Sequence, residues 1–370
     1  MSGKHTSGSH LAPASRSASK PAAKAARPPK QKKKSKRLWI ALGVLGGLVV
    51  ILVLAGYFVF SYAYGSMNVQ TDVNVSPSYS PAELDALLFD EGEEEEAEDA
   101  EVLSPEEIAA LEQEMADNAL REELMGSDDV YNILLLGNDS RSNNINERTD
   151  VMLLVSVNKA NQQIILTSFL RDLYVYIPGY FSHRLNSANS LGGPSLTVST
   201  IEQNFGIDID NYAEVNFYAF IDIVDILGGV DIDLSSAEAQ VVGCGSSSGT
   251  YHLNGEQALA YCRIRKLDND FGRTERQRKL LNALWSGLKG ASLSEAASLM
   301  DSVLPYVTTN LDQKDCLNLL TLATQIFDYK IYSTSIPADG TWTNAMIDGM
   351  AVLRADLDAN YDHLYYYIYS

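Results

Sequence analysis

The hydrophobic positions in the C-terminal two thirds of the chain form short runs that are bounded by polar turn residues. Three runs, partly β-branched, predict buried strands at 131–137, 151–158 and 163–169. Two further short segments predict strands at 230–234 and 330–336, and apolar residues at helical spacing predict helices at 197–205, 217–227, 274–288 and 312–327. Because strands that alternate with helices are typical of layered domains, we expect an α/β fold over residues 130–370. The expected architecture is an α/β/α sandwich with a central mixed sheet.

A long uncharged run at residues 38–60 precedes this domain. It is long enough to cross the roughly 30 Å hydrocarbon core as a helix, and too long for the apolar region of a signal peptide. Basic residues crowd its N-terminal side, and neither Lys nor Arg follows closely on the other side. The positive-inside bias therefore predicts one transmembrane helix with a cytoplasmic N-terminus and an extracellular domain at the cell membrane.

The segments that flank this run have opposite charge. Residues 1–37 carry 11 Lys or Arg and no acid, and their composition predicts a disordered tail. Anionic lipid is the favoured partner of this tail, with nucleic acid as the alternative. Residues 61–129 are acidic and predict an extended extracellular stalk. Within the stalk, 105–124 has helix-forming composition but few apolar positions, and a metal-binding role for Glu93 to Glu96 is the alternative.

Basic residues are concentrated in one stretch of the otherwise acidic domain. Of the 16 basic residues after position 130, seven fall within 263–279, and five of those are arginines. Arg263 and Arg265 would share one face if that piece is extended. Arg273, Arg276 and Gln277 lie at helical spacing near the start of a predicted helix, where guanidinium groups and free backbone N–H groups suit phosphate. The alternative is a solvated basic face paired with surface carboxylates.

Arginine and aspartate pairs occur at the ends of three predicted strands. Asp139 and Arg141 follow the first strand, Arg148 and Asp150 open the second, and the third exits into Arg171 and Asp172. Ligand sites of open α/β sheets lie at the carboxyl ends of strands. Carboxylates there suit a hard divalent cation such as Mg²⁺. The alternative for each pair is a surface salt bridge.

Three cysteines, Cys244, Cys262 and Cys316, match no metal-ligand spacing and form at most one disulfide. A bridge between Cys244 and Cys262 is one possibility in an oxidising exterior. The other is that all three behave as small buried hydrophobic residues.

These motifs together resemble the LytR-CpsA-Psr family of cell-wall glycopolymer transferases, from about Tyr131 to the C-terminus. The matching pieces are NILLLGNDSR, RTDVMLLVSVN, the RD of LRDLYVYIPGY, LNSANSLGG, NYAEVNFYAFIDIVDILGGVDIDL, LNGEQALAYCRIRKLDNDFGRTERQR, IPADGTW and GMAVL. Two positions depart from the family pattern. Leu170 stands where proline usually precedes the RD dipeptide, and Arg184-Leu185-Asn186 stands where KIN is frequent.

The resemblance implies roles for individual residues. Asp139 and Asp150 become the carboxylates associated with Mg²⁺, or with Mn²⁺ in its place. The implied diphosphate-binding set comprises Arg148, Arg171, Arg263, Arg265, Arg273, Arg276 and Gln277. The implied donor is a polyprenyl diphosphate that carries a glycopolymer, with its polyprenyl tail in an apolar tunnel of the sandwich. The implied acceptor is a peptidoglycan hydroxyl.

The expected reaction is phosphotransfer, in which the hydroxyl attacks the glycopolymer-side phosphorus and polyprenyl monophosphate leaves. Such chemistry needs positioning and charge neutralisation but no covalent nucleophile of the protein. The sequence does not identify the general base. A lipid-diphosphate phosphatase and a non-catalytic, wall-polymer-binding regulatory module are the alternatives. Nucleic acid is not an expected partner of the domain, because the arginine cluster is predicted to lie outside the membrane.

Overall fold

The structure of the protein, a computed structural model, describes residues 68–69, 100–118, 123–138, 148–264, 267, 270–288, 302–326 and 328–370. The predicted basic tail and the predicted transmembrane helix at 38–60 lie outside these residues. Within the described ranges, no helix has the length and apolar character that a membrane span requires.

Fourteen strands and eight α-helices are present in the described part of the chain. The strands are β1 (Asn68–Val69), β2 (Glu101–Val102), β3 (Val130–Asn138), β4 (Thr149–Asn158), β5 (Gln163–Phe169), β6 (Tyr174–Tyr176), β7 (Ser182–Arg184), β8 (Asn211–Asn216), β9 (Val230–Leu234), β10 (Gly249–Leu253), β11 (Thr308–Thr309), β12 (Lys330–Ile336), β13 (Trp342–Ile347) and β14 (Met350–Ala355). The helices are α1 (Pro105–Asn118), α2 (Ser187–Phe205), α3 (Phe217–Ile226), α4 (Ser236–Val242), α5 (Gly255–Cys262), α6 (Asp270–Leu288), α7 (Gln313–Gln325) and α8 (Leu357–Tyr369).

A seven-stranded sheet in the order β1-β11-β8-β3-β4-β5-β12 forms the centre of the fold. β3, β4 and β5 pair antiparallel, whereas β3 pairs parallel with β8, and β5 with β12. The expected mixed sheet and its predicted strands are therefore confirmed. The register places Asn138 opposite Thr149 and Met152 opposite Phe169. The end of β3, the start of β4 and the end of β5 consequently lie side by side at one end of the sheet. We call this end of the strands the sheet edge.

Helices cover both faces of this sheet. On one face, Phe205 of α2 and Leu364 of α8 share a core with Leu134 and Leu136 of β3. On the other face, helices α6 and α7 pack against the odd-numbered residues of β3 and β4 and the even-numbered residues of β5. The helix residues in this contact include Leu281, Trp285 and Leu322. Strand residues alternate between these two cores because successive side chains point to opposite faces.

Helix α1 differs from the expected solvated stalk. Its Leu111 and Met115, 6% and 1% exposed, are buried in the main core, and the hydroxyl of Tyr174 donates to Glu112 Oε1 at 2.9 Å. The reason is that Ile108, Leu111 and Met115 form a narrow apolar stripe on an otherwise acidic helix. Packed structure therefore begins before residue 130.

A smaller core lies beside the sheet and contains two of the three cysteines. The hairpin of β9 and β10 packs with α3, α4 and α5 around residues such as Val230, Ile232 and Tyr261. Cys244, Cys262 and Cys316 are all free, so the disulfide considered between Cys244 and Cys262 is not formed. Cys262 and Cys316 are buried, and Cys244 is partly buried, which matches the alternative of small hydrophobic side chains.

Candidate functional site

A buried arginine joins three carboxylates at the edge where β3, β4 and β5 meet. Arg171, 4% exposed, follows the end of β5, and its Nη1 lies 3.2 Å from Oδ1 of Asp150 at the start of β4. Its Nε lies 3.1 Å from Oδ2 of Asp172 and 3.7 Å from Oδ2 of Asp270, the first residue of α6. Two strand ends and one helix start are thereby held by a single guanidinium.

Two further arginines complete the charge balance of this cluster. Arg273 Nη2 lies 3.1 Å from Asp270 Oδ1, and Arg184 Nε lies 3.6 Å from Asp172 Oδ1. Arg184 also donates from Nε to the carbonyl oxygen of Ala351 at 3.0 Å. Three arginines thus face three aspartates, which we call the arginine–aspartate cluster: Arg171, Arg184 and Arg273 with Asp150, Asp172 and Asp270.

Burial changes the ionisation of this cluster. Burial, together with a hydrogen bond between the carboxyl groups of Asp172 and Asp270, raises the pKa of Asp172 to about 6, and Arg171 opposes this rise. Because two adjacent carboxylates repel each other when both are ionised, a proton shared between them is favoured below about pH 6. Below about pH 6 the cluster therefore holds a proton in a buried position.

The loop before Arg171 accommodates the departure from the family pattern. Leu170 is 1% exposed, and its backbone N–H donates to the carbonyl oxygen of Ile336 at 2.8 Å. Proline at this position could not donate that bond. Leu170 thus ties the β5 exit to the end of β12 and supports the backbone that carries Arg171.

The predicted arginine face of α6 is present, but its members have different partners. Arg273, Arg276 and Gln277 are all buried, at 3%, 3% and 9% exposure. Arg276 donates from Nη2 to the carbonyl oxygen of Ile264 at 2.6 Å, and its Nη1 lies 3.6 Å from Oε1 of Glu238. Arg273 thus belongs to the arginine–aspartate cluster, whereas Arg276 connects α6 to the smaller core.

Arg263 does not lie in extended backbone. It ends helix α5, which begins with a capping box formed by Asn254 and Gln257, and its φ and ψ are −101° and 4°. Arg263 and Arg265 were expected to share a face only if the backbone is extended. The backbone at Arg263 is not extended. The guanidinium carbon of Arg263 lies 4.5 Å from the ring centroid of Phe217, in cation–π geometry. Arg265 lies outside the described residues.

The two predicted metal-associated carboxylates are described only in part. Asp139 and Arg141 lie outside the described residues, and within the described ones no group of three or more His, Cys, Asp or Glu side chains is arranged to hold a metal ion. The Asp150 side chain is 20% exposed at the sheet edge. Its accessible hard oxygen fits a cation that completes its shell with water and substrate phosphate. Arg148 immediately precedes β4, two residues before Asp150.

A buried glutamate supports the strand end that leads to Asp139. Glu214 of β8, 1% exposed, accepts hydrogen bonds at Oε1 from the side-chain amides of Asn138 and Asn189, both at 2.9 Å. Asn138 is the last residue of β3, and Asn189 lies in the first turn of α2. This network fixes the backbone immediately before Asp139. Glu214 was not predictable from the sequence, because a single glutamate in a strand has no distinguishing pattern.

An apolar cavity of about 290 Å³ lies between the sheet and helices α6 and α7. Side chains that line it include Leu135, Val155, Leu166, Leu281, Trp285 and Leu322. Residues of α6 line it in the turns that follow Arg273. The distance along the helix axis from Arg273 to Leu281 is about 12 Å, at about 1.5 Å per residue.

The sequence is similar to those of known proteins. The profile of the LytR_cpsA_psr family matches residues 97–364. The chain is 30% identical over 314 residues to the polyisoprenyl-teichoic acid–peptidoglycan teichoic acid transferase TagT of Bacillus subtilis, across 80% of this chain and 85% of that protein. It is 36% identical over 202 residues to the transferase TagU of Oceanobacillus iheyensis, across 52% of this chain but only 62% of that relative's length.

Solved structures show the same fold. TagT bound to LIIa-WTA superposes with a TM-score of 0.55 and 29% identity, across 68% of this chain and 95% of that chain. TagT with bound octaprenyl pyrophosphate lipid has a TM-score of 0.51 and 28% identity, with the same coverage. The mixed α/β fold and its central sheet are thus shared with structures of TagT that contain LIIa-WTA or octaprenyl pyrophosphate lipid.

Proposed function

The chain belongs to the LytR_cpsA_psr family, and from this premise we propose that it transfers a glycopolymer from a polyprenyl diphosphate carrier to a peptidoglycan hydroxyl. The observation that carries the proposal is the position of helix α6. Its first turn contributes Asp270 and Arg273 to the arginine–aspartate cluster, and its later turns line the apolar cavity. A charged site and an apolar cavity on one helix fit a ligand with an anionic head and a hydrocarbon tail.

Seven residues form the proposed diphosphate-binding set. They are Arg148, Arg171, Arg263, Arg265, Arg273, Arg276 and Gln277. The guanidinium forks of the arginines suit paired phosphate oxygens, and burial of Arg171, Arg273 and Arg276 strengthens their contacts because little water competes there. Asp139 and Asp150 would hold Mg²⁺, or Mn²⁺ in its place, and the ion would neutralise charge on the diphosphate.

The proposed reaction forms one bond to phosphorus and breaks another. The acceptor oxygen bonds to the glycopolymer-side phosphorus, the bond from that phosphorus to the bridging oxygen breaks, and polyprenyl monophosphate leaves with the electron pair. The hydroxyl proton passes to solvent or to a carboxylate of the site. Arg171 and Arg273 stabilise the developing negative charge from fixed positions, so little reorganisation is needed during the reaction. Asp172 and Asp270 keep Arg171 in place.

The proposed location follows from the sequence. Residues 38–60 would anchor the protein as a single-pass membrane helix, with residues 1–37 in the cytoplasm and the domain outside the cell. This arrangement would place the apolar cavity near the lipid carrier and the acceptor near the cell wall.

Alanine variants of two arginines test the proposal. Purified protein would be mixed with polyprenyl diphosphate-linked saccharide and Mg²⁺, with and without peptidoglycan fragments. We expect polyprenyl monophosphate to be released only when peptidoglycan is present, and Arg263→Ala and Arg273→Ala to abolish this release while the fold is kept. Release without peptidoglycan would instead indicate a diphosphatase. Binding without any release would indicate a wall-polymer-binding module, and full activity of both variants would disprove the site.

A further inference from the structure

Arg278 of helix α6 carries a half-buried positive charge that has no role in the proposed site. Its Nη1 donates to Oγ of Ser168 at 2.8 Å, and Ser168 is 2% exposed. Among the described residues, no carboxylate lies within ion-pair distance of Arg278. Glu275, the carboxylate that acts on Arg278 electrostatically, is paired with Lys279 at 2.8 Å. Burial lowers the pKa of Arg278, so its charge is partly desolvated, and the described carboxylates provide no close counter-ion.

Arg278 lies on α6 between the arginine–aspartate cluster and the apolar cavity. Leu281, Asn282 and Trp285, which follow it by three, four and seven residues, line the cavity. Residues at these spacings share one face of a helix, so Arg278 stands one turn before the cavity-lining residues on that face. Arg273, in the cluster, precedes Arg278 by five residues.

The face of the sheet that Arg278 contacts changes from apolar to polar residues close to Arg278. Leu166 of β5 lines the cavity, and Ser168 is the next residue on that face of the strand. On the neighbouring strand β12, Ile331 lines the cavity, and serines occupy the next positions of the same face up to Ser335, the register partner of Ser168. The end of the cavity that is nearest the cluster is therefore marked by hydroxyl groups and one guanidinium.

We propose that Arg278, held in place by Ser168, binds the lipid-side phosphate of the polyprenyl diphosphate and the same phosphate in the polyprenyl monophosphate that leaves. The assignment rests on the proposed function. A ligand with its tail in the cavity places its first phosphate at the border between apolar and polar residues, which is the level of Arg278. The second phosphate then extends toward Arg171 and Arg273. A guanidinium with one hydrogen-bond partner among the described residues retains donors for phosphate oxygens.

This position gives Arg278 a role in bond breaking. When the bond between the glycopolymer-side phosphorus and the bridging oxygen breaks, the electron pair stays on the lipid-side phosphate. The negative charge of that phosphate increases at the moment when the acceptor oxygen bonds to the other phosphorus. Arg278 stabilises this charge on the leaving group, whereas Arg171 and Arg273 act on the transferred phosphoryl group.

Binding of three ligands with the same tail tests the assignment. Geranylgeranyl diphosphate, geranylgeranyl monophosphate and geranylgeraniol would be titrated calorimetrically into the full chain, in one detergent and with Mg²⁺, for the wild type and Arg278→Met. We expect the variant to lose affinity for both phosphates by a similar factor, on the order of 10- to 100-fold, because both share the lipid-side phosphate. Affinity for geranylgeraniol stays unchanged. Lys279→Met, which removes the same charge from the adjacent exposed position, leaves all three affinities unchanged.

Each other outcome has a defined meaning. Unchanged phosphate affinity in Arg278→Met, or a loss confined to the diphosphate, overturns the assignment while the proposed function stands. A wild-type chain that binds the phosphates no better than geranylgeraniol overturns both. If Arg278→Met does not fold, the same titrations are carried out with Arg278→Lys and Ser168→Ala. Both should bind the two phosphates more weakly by a similar factor, and wild-type affinity in both overturns the assignment.

Discussion

Arg171 Nη1 lies 3.2 Å from Asp150 Oδ1, and this contact joins the segment after β5 to the start of the antiparallel strand β4. The pair is almost closed to solvent on the arginine side, at 4% exposure, and one-fifth exposed on the aspartate side. An ion pair so placed holds the sheet edge together and keeps one carboxylate face accessible. The fold and the proposed chemistry therefore depend on the same contact.

Loss of Arg171 should lower the stability of the fold as well as the activity. Arg171→Met removes the guanidinium that Asp150, Asp172 and Asp270 share, and a broken buried ion pair costs about 3–5 kcal/mol. Urea unfolding followed by circular dichroism measures this change in the free energy of unfolding. Lys279→Met is the control, because its pair with Glu275 is exposed on both sides and such pairs contribute about 1 kcal/mol or less. Equal stability of the two variants would contradict the central position of Arg171.

Glu202 should make stability fall as pH rises. Burial raises its pKa from 4.5 to about 7, with Asp208 adding to the rise and the N–H of Ile209 opposing it. The folded state therefore binds the proton more tightly than the unfolded state. The resulting stability is fully present below about pH 4.5 and is lost as pH rises through about 7.

Glu202→Gln keeps an acceptor for Ile209 but carries no charge, so its advantage in melting temperature over the wild type should grow between pH 4.5 and 8. Glu114→Gln, at an exposed position of α1, serves as the control. A difference in melting temperature between Glu202→Gln and the wild type that stays constant across this range would show that folding does not raise the pKa of Glu202.

Filling the apolar cavity should prevent lipid binding without unfolding the protein. Val155 lines the cavity from the middle of β4, and Val155→Trp would occupy space that we assign to the polyprenyl tail. We expect loss of geranylgeraniol binding in calorimetry, with the circular dichroism spectrum retained. Val241→Trp is the matched control, since Val241 is 53% exposed on α4 and far in sequence from the cavity residues. Unchanged binding in Val155→Trp would place the lipid elsewhere.

The three thiols should differ in reactivity. Burial raises the pKa of Cys262 to about 12 and that of Cys316 to about 11, and a thiolate is needed for alkylation. Cys244, which is partly buried and accepts a hydrogen bond from Gln257 at 3.4 Å, should react first with iodoacetamide. Peptide mass mapping before and after urea treatment identifies the modified residues. A disulfide between Cys244 and Cys262 in the native protein would contradict the structure.

Local patterns predicted much of the fold, because the runs at 131–137, 151–158 and 163–169 are short, apolar, partly β-branched and bounded by turn residues. The order of the strands and the packing of α1 were not predictable, since both depend on contacts between residues far apart in sequence. Helix α1 is acidic on most of its surface, and only the stripe containing Leu111 and Met115 shows that it is buried.

The candidate site was predictable where charge is concentrated. Arg171, Arg273 and Asp150 were expected and do meet at the sheet edge. Asp270 was missed, although its position three residues before Arg273 is the spacing of a helical ion pair. Whether each arginine binds phosphate stays a prediction, because binding depends on a ligand and not on the fold.

A donor labelled at two positions tests phosphotransfer most directly. Polyprenyl diphosphate-linked saccharide would carry ¹⁴C in the sugar and ³²P at the glycopolymer-side phosphorus, and would be incubated with the protein, Mg²⁺ and peptidoglycan fragments. We predict that both labels appear together in peptidoglycan while the lipid is recovered as its unlabelled monophosphate. Transfer of ¹⁴C without ³²P, or release of both labels into water, would contradict the proposed reaction.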